Sequence, residues 1–203
     1  AIVGGRGDKT ASKTLNRATD TTRQPGSTFK ILAAYSAALD AGGLTLASVQ
    51  DDAPYTYAGA NGKSVNNYDR RYRGFTTLRE AITDSINIVT VKTLAQAGVS
   101  LGWQYVQEYG FTTVDSRDMN EALALGGITQ GVSNLELTAA YAAIANQGTY
   151  IKPKFYTKIL DHDGNVLIDN TTPESHTVIK DTTAWLLTSA MEDVMTSGTG
   201  TSA

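Results

Sequence analysis

Cysteine is absent from the chain, and histidine occurs only twice, as His162 and His176. The lack of cysteine excludes disulfide frameworks, zinc fingers, iron–sulfur clusters and thiol catalysis. With two histidines, a histidine-rich metal site is disfavoured and a Ser-His-Asp triad has few candidates, so we predict no metal and no cofactor. Long apolar runs are also lacking, since none approaches the ~18 uncharged residues of a membrane-spanning helix.

The 203 residues fit one domain of ordinary size or a domain with an added lobe. Hydrophobic residues make up 41% of the chain and charged residues 18%, which is typical of a globular rather than a disordered protein. The formal net charge is −3. Because nucleic-acid-binding surfaces are basic, this balance argues against a nucleic-acid partner.

Periodicity and capping signals predict an α+β domain whose helices cover a sheet built from distant parts of the chain. A first strand is predicted over 1–5 and a long loop region over 45–75. The predicted helices are 27–39, one that opens at a capping box near Thr77, 88–97, 103–109, one that opens at the Ser133 capping box, and 181–195 with Asp181 as its cap. Strands over 150–160 and 165–169 are predicted to form a hairpin, because Asp161-His162-Asp163-Gly164 is a turn signal.

The sharpest candidate for chemistry is a serine and a lysine three residues apart, Ser27 and Lys30, directly after the chain break Pro25-Gly26. In a helix that begins here, residues i and i+3 share a face, which places the Lys30 amine over the Ser27 hydroxyl. A lysine whose pKa is lowered by burial can take the serine proton and create a nucleophile. The free N–H groups of the helix start suit a developing oxyanion. The pattern is short, so a capping serine beside a solvated lysine is the alternative.

A second candidate is Ser85-Ile86-Asn87, a polar kink between two apolar helical stretches. A hydroxyl there could relay a proton, and the Asn87 amide could hold a substrate carbonyl or amide. The alternative is a helix cap, because serine and asparagine are preferred at that position. Ser64-Val65-Asn66 has the same spacing, but no predicted helix positions it, so we favour Ser85.

Both motifs stand in a longer pattern that runs along almost the whole chain. Residues 23–30 and the Ser85 tripeptide are accompanied by the linking segments Val3-Gly4-Gly5-Arg6, Asn67-Tyr68, Thr77-Leu78-Arg79-Glu80-Ala81, Ala124-Leu125-Gly126-Gly127 and Ala145-Asn146-Gln147-Gly148-Thr149-Tyr150-Ile151-Lys152-Pro153. Together they resemble the transpeptidase domain of penicillin-binding proteins. The Arg-Gln before Pro-Gly-Ser and the Val-Gly-Gly-Arg segment look most like the class A, bifunctional members.

The resemblance implies the fold shared by penicillin-binding proteins and serine β-lactamases, an α+β sheet covered by helices, and a role for each motif residue. Ser27 matches the acylated nucleophile and Lys30 the base that activates it. Ser85 matches the hydroxyl that relays a proton towards the leaving amine. Asn87 matches the ligand of the substrate amide.

The implied activity is D,D-transpeptidation, which crosslinks peptidoglycan stem peptides ending in D-Ala-D-Ala through an acyl-serine intermediate. β-Lactam antibiotics would acylate the same serine. The resemblance also implies a parent protein with a membrane anchor and a glycosyltransferase domain, acting on the extracytoplasmic face of the bacterial cell membrane. Two alternatives stay open: a D,D-carboxypeptidase or serine β-lactamase on the same fold, and a non-catalytic penicillin-binding or sensory domain.

One motif of the family, Lys-Thr-Gly, does not occur in this sequence. Gly198-Thr199-Gly200-Thr201 matches a segment that lies just upstream of that motif in class A members. We therefore expect residues 1–203 to be a transpeptidase-domain fragment that lacks the third-motif strand and the C-terminal strands, and that is inactive by itself. A sheet edge exposed beside the helix of Ser27 would then favour self-association.

Overall fold

The structure, a computed structural model, describes residues 7–8, 11, 13–58 and 62–203 of the chain. The strand predicted over 1–5 and the Val3-Gly4-Gly5-Arg6 segment lie outside the described residues. Helices and short strands are mixed along the described chain, and the predicted α+β class is confirmed.

A helical run at the centre of the core carries Ser27. It consists of a 3-10 turn, Gly26–Thr28, a π-helical segment, Ile31–Tyr35, and α1, Ser36–Asp40. We call residues 26–40 the serine helix. The helix predicted over 27–39 is confirmed, although its winding changes along its length. All side chains of residues 31–38 are buried, so this helix needs packing partners on every side.

Two helices, α3 (Asn87–Ala97) and α4 (Val99–Glu108), pack against the serine helix. The contact with α4 is close, because a Cβ atom at Gly102 would lie 2.5 Å from the carbonyl oxygen of Ala33. A larger residue at that position would push the two helices apart. The packing of α3 and α4 therefore fixes the position of the serine helix, which carries Ser27 and Lys30.

The predicted helix starts are correct where a capping box marks them. Helix α2 (Leu78–Thr83) begins after Thr77, and α5 (Asn134–Ala145) begins after Ser133, each with the reciprocal hydrogen bonds of a capping box. Helix α4 begins at Val99, earlier than its predicted start at 103. The predicted cap of α6 (Asp181–Thr196) is wrong, because Lys180 holds the cap position and Asp181 is the first helical residue.

Among the described residues the strands pair two by two, and all pairs are antiparallel. The pairs are β1 (Thr22–Arg23) with β6 (Val132–Ser133), β2 (Val49–Asp52) with β5 (Gly74–Thr77), β3 (Tyr55–Thr56) with β4 (Ser64–Val65), β7 (Thr149–Ile151) with β10 (Ser175–Thr177), and β8 (Lys158–Leu160) with β9 (Val166–Asp169). The pairs β2–β5 and β3–β4 correct the prediction of a loop over 45–75.

The hairpin predicted over 150–169 is present as β8 and β9, but the single strand predicted over 150–160 is not. The strand is broken after Ile151, where Pro153 follows and has no N–H to donate to a ladder. Its first part, β7, pairs with β10, a strand that was not predicted. In the part of the chain that is described, no helix has the length and apolar character needed to cross a bilayer.

Candidate active site

The turn around Ser27 is held by hydrogen bonds from distant parts of the chain. The Gln24 side chain bridges to the main chain of Ile128: its Oε1 accepts from the Ile128 N–H at 2.9 Å, and its Nε2 donates to the Ile128 carbonyl oxygen. The Tyr141 hydroxyl donates to the carbonyl oxygen of Thr28 at 2.6 Å. Ser27 itself is exposed. The serine therefore faces solvent from a backbone that is anchored on both sides.

Gly126 provides a second support for this turn. A Cβ atom at Gly126 would lie 2.5 Å from the carbonyl oxygen and 2.7 Å from the nitrogen of Gly26. Gly126 also has a φ of +72°, in the left-handed region that favours glycine. The segment that contains it can approach the serine turn only because it carries no side chain here.

Lys30 is buried, with 3% of its surface exposed, and its amine has three partners. Nζ lies 2.6 Å from the Ser85 carbonyl oxygen, 2.9 Å from Ser85 Oγ and 2.6 Å from Asn87 Oδ1. Among the described residues, none of its hydrogen bonds goes to the Ser27 hydroxyl. The contact expected from helical spacing alone is thus replaced by a contact with the second motif.

No carboxylate compensates the charge of Lys30, since no salt bridge between described residues includes it. Burial lowers the pKa of Lys30 from about 10.5 to about 7, because the charged form loses its hydration. Near neutral pH the amine is therefore a mixture of charged and neutral forms. The neutral form has the lone pair that a general base requires.

Ser85 adopts an unusual backbone conformation for a serine. Its φ is +53°, and it stands where α2 ends. The Ser85 N–H donates to the Ile82 carbonyl oxygen at 3.1 Å, and the Ile86 N–H donates to the Ala81 carbonyl oxygen at 2.9 Å. These bonds define a Schellman motif, in which the Ser85 position is usually glycine. The serine at this position has a strained backbone conformation, and its hydroxyl lies against Lys30 Nζ.

Asn87 is the first residue of α3 and connects two sides of the site. Its Oδ1 accepts from Lys30, and its Nδ2 donates to the carbonyl oxygen of Asn66 at 2.8 Å. The similar tripeptide Ser64-Val65-Asn66 does not reach Lys30 through its side chains. Ser64 lies on β4, and Asn66 contributes only a main-chain oxygen.

Two clefts meet at Ser27. The first has a volume of about 350 Å³, and Ser27, Lys30 and Ser85 line it together with apolar side chains of α5 and α6. The second has a volume of about 570 Å³ and is lined by Ser27, Ser85 and Asn87. All four residues singled out from the sequence therefore surround one site. Among the residues that the structure describes, no group of acidic or histidine side chains could hold a metal ion.

Two further polar side chains support this site and were not predicted for any role. Asn67 and Asp52 are almost completely buried, with exposures of 4% and 0%. Asn67 lines the second cleft and bonds to the start of α3. The Asn67-Tyr68 segment contributed to the resemblance, but the role of Asn67 could not be read from the sequence, because Asp52 and Asn87 lie 15 and 20 residues away.

The family model for the penicillin-binding protein transpeptidase domain matches residues 2–203. Penicillin-binding protein 1F of Bacillus subtilis is 41% identical over 202 residues, which cover 100% of this chain and 27% of that protein. Penicillin-binding protein 1A of Clostridium botulinum is 35% identical over 178 residues, which cover 83% of this chain and 21% of that protein. The chain thus spans about a quarter of the length of these relatives.

Solved structures give the same fold. Penicillin-binding protein 1A from Haemophilus influenzae aligns with a TM-score of 0.78 at 28% identity, over 91% of this chain and 32% of that one. The imipenem acyl-enzyme complex of penicillin-binding protein A from M. tuberculosis aligns with a TM-score of 0.79 at 23% identity, over 93% of this chain and 47% of that one.

Proposed function

Because the chain belongs to the penicillin-binding protein transpeptidase family, we propose that it carries out acyl transfer on peptidoglycan stem peptides as a serine-type D,D-transpeptidase. The observation that supports this most directly is the buried Lys30 amine, which lies between Ser85 and Asn87 at the cleft of Ser27 and which no carboxylate of the described residues neutralises. A solvated lysine beside a capping serine would not require such an arrangement.

Acylation begins when the Ser27 oxygen attacks the carbonyl carbon of the penultimate D-alanine. The neutral Lys30 amine takes the hydroxyl proton, directly or through Ser85. The C–N bond to the terminal D-alanine then breaks, and the proton held by Lys30 passes through the Ser85 hydroxyl to the leaving nitrogen. The products are free D-alanine and an ester between the stem peptide and Ser27.

The three partners of Lys30 explain why Ser85 can relay that proton. Two of them, the Ser85 carbonyl oxygen and Asn87 Oδ1, only accept hydrogen bonds, so they occupy the two N–H donors of a neutral amine. The third, the Ser85 hydroxyl, can accept from an ammonium or donate to an amine. The proton can therefore cross between Lys30 and Ser85 without moving either main chain.

Asn87 is assigned to substrate binding. Its Oδ1 is committed to Lys30, and one hydrogen of its Nδ2 is committed to Asn66. The second hydrogen of the amide remains for a substrate carbonyl, since an NH₂ group has two donors. The same Asn87 side chain would thus bind the substrate backbone through Nδ2 and the Lys30 amine through Oδ1.

An amine from a neighbouring stem peptide resolves the ester and restores the Ser27 hydroxyl. A β-lactam would acylate the same oxygen of this chain; penicillin-binding protein A from M. tuberculosis, which has the same fold, forms acyl-enzyme complexes with imipenem and penicillin G. For the whole protein we propose a membrane anchor, a glycosyltransferase domain and a location outside the cytoplasmic membrane, as in class A penicillin-binding proteins; the chain covers 27% of its Bacillus relative, which leaves room for a further domain. The hydrolase and sensory alternatives are not favoured, because the relatives are penicillin-binding proteins. Self-association through an exposed sheet edge stays a prediction, which light scattering at high protein concentration would test.

The test is a crosslinking assay with the full-length protein. A labelled donor peptide ending in D-Ala-D-Ala is incubated with an amine acceptor, and released D-alanine and crosslinked product are counted. We expect one D-alanine for each crosslink in the wild type and neither product in Ser27→Ala. Release of D-alanine without crosslinks at saturating acceptor would favour the carboxypeptidase, and no release at all would favour the sensory domain.

A further inference from the structure

Asn67 lines the second cleft and is hydrogen-bonded to Asp52, and the mechanism above uses neither of these buried polar side chains. Asn67 comes from the segment after β4, and Asp52 is the last residue of β2. Both are hidden from solvent, with exposures of 4% and 0%. Buried polar groups are costly unless they are hydrogen-bonded, so the partners of this pair indicate what it stabilises.

The Asn67 amide oxygen binds the beginning of α3. It accepts from the Asn87 N–H at 3.1 Å and from the Ile88 N–H at 3.2 Å. These N–H groups have no partner within their own helix. The residue at the cap position, Ile86, has no side chain that could serve them. Asn67 therefore caps α3 from 20 residues away in the sequence.

Asp52 determines which way the Asn67 amide faces. The Asn67 Nδ2 donates to the two carboxylate oxygens of Asp52 at 2.8 and 3.0 Å and to the Arg71 carbonyl oxygen at 2.8 Å. An ionised carboxylate only accepts, so the NH₂ group must face Asp52 and the oxygen must face α3. Asp52 is itself held by the Arg73 N–H at 2.9 Å, with the Arg73 guanidinium 3.9 Å away.

The segment 66–67 thus holds Asn87 at two points. Asn67 binds its main-chain N–H, and the Asn66 carbonyl oxygen accepts from its side chain. Asn87 Oδ1 in turn lies 2.6 Å from Lys30 Nζ, and Ser85 is only two residues earlier. A shift at the start of α3 would therefore move Asn87 Oδ1 directly and would disturb the neighbouring Ser85, the two residues that surround the base.

We propose that Asn67, oriented by Asp52, is a positioning residue for acyl transfer, which fixes the start of α3 and thereby sets Ser85 and Asn87 against the Lys30 amine. The role in acyl transfer rests on the function proposed above. The placement of the Lys30 partners does not, and it can be measured separately.

The first experiment compares Asn67→Ala with Asn66→Ala in the full-length protein. Asn66 is the matched control, because it is exposed and contacts Asn87 only through its main chain, which alanine retains. We expect Asn67→Ala to lower the rate constant for acylation by a labelled penicillin about 10²-fold, the loss typical of a reacting group displaced by about 1 Å. Asn66→Ala should acylate like the wild type.

A reciprocal exchange separates orientation from simple loss of packing. Asn67→Asp keeps an oxygen for α3 but places two carboxylates together, so acylation should fall. In the pair Asp52→Asn with Asn67→Asp, the donor and the acceptor between the two side chains have changed places, while the bond to the Arg71 carbonyl oxygen is lost, so we expect part of the lost rate to return. If Asn67→Ala does not fold, the acylation rates of Asn67→Asp and of the exchanged pair provide the test. An exchanged pair that acylates no faster than Asn67→Asp would overturn the proposal.

The second readout is an NMR titration of the Lys30 side chain with ¹³C-labelled lysine, assigned with Lys30→Met. No ion pair between described residues involves Lys30, so its midpoint reports access of water and the positions of Ser85 and Asn87. We expect a higher midpoint in Asn67→Ala than in the wild type or Asn66→Ala. An unchanged rate and midpoint in Asn67→Ala would overturn the proposal. A wild type that shows no acylation but a shifted midpoint in Asn67→Ala would instead refute the proposed function and retain the positioning role.

Discussion

Replacing Ser85 with glycine or with alanine should make the protein less active, and the glycine variant should be the more stable of the two. Both variants lose the hydroxyl that lies 2.9 Å from Lys30 Nζ, so that loss cancels between them. The φ of +53° remains costly for alanine and not for glycine. That strain is about 1–2 kcal/mol for a residue with a Cβ atom, and the larger entropy of unfolded glycine offsets about 0.5–1 kcal/mol of it. The free energy of unfolding of Ser85→Gly should therefore be higher than that of Ser85→Ala by roughly 0.5–1 kcal/mol.

The assay is urea unfolding of the two variants and the wild type, followed by circular dichroism, together with acylation by a labelled penicillin. We expect Ser85→Gly to have the higher unfolding midpoint and both variants to acylate about 10²-fold or more slowly, the range for loss of a proton-transfer group. Equal midpoints for glycine and alanine would refute the strain argument. Wild-type acylation by either variant would refute the relay role of the hydroxyl.

Two further predictions concern the support of the serine turn and the charge of Lys30. Gly126→Ala should destabilise by about 1–3 kcal/mol more than Gly43→Ala in urea unfolding, because both glycines have φ near +72° but only Gly126 lacks room for a Cβ atom; equal losses would contradict the close approach to Gly26. Between about pH 7 and 10, the free energy of unfolding of the wild type should rise relative to Lys30→Met by on the order of 4 kcal/mol, because the unfolded lysine still binds a proton there and the folded one does not. A flat difference across that range in pH-dependent unfolding would show that the pKa of Lys30 is not lowered.

The sequence predicted what depends on neighbours along the chain. The capping boxes at Thr77 and Ser133 involve residues three positions apart, so they could be recognised directly, and the helices after them begin as predicted. The four candidate site residues stand in two short motifs, and each motif lies at a helix start or end. The structure brings these motifs together through the hydrogen bonds of Lys30.

What the sequence did not predict depends on distant partners. Strands β2 and β5 pair across an irregular segment whose residues show no alternation, so the region looked like a loop. The left-handed conformation of Ser85 arises where α2 ends, and it could not be predicted because that position is usually glycine rather than serine. The role of Asn67 depends on Asp52 and on α3 together, and neither partner is near it in the chain.

The measurement that tests the central assignment most directly is peptide mapping by mass spectrometry after reaction of the full-length protein with a labelled penicillin. Ser27→Ala removes the proposed nucleophile, and Ser64→Ala removes the serine of the similar tripeptide on β4 as a control. We predict one label on the peptide that contains Ser27, its loss in Ser27→Ala and its retention in Ser64→Ala. A label that persists in Ser27→Ala, or that maps to another residue of the wild type, would contradict the assignment.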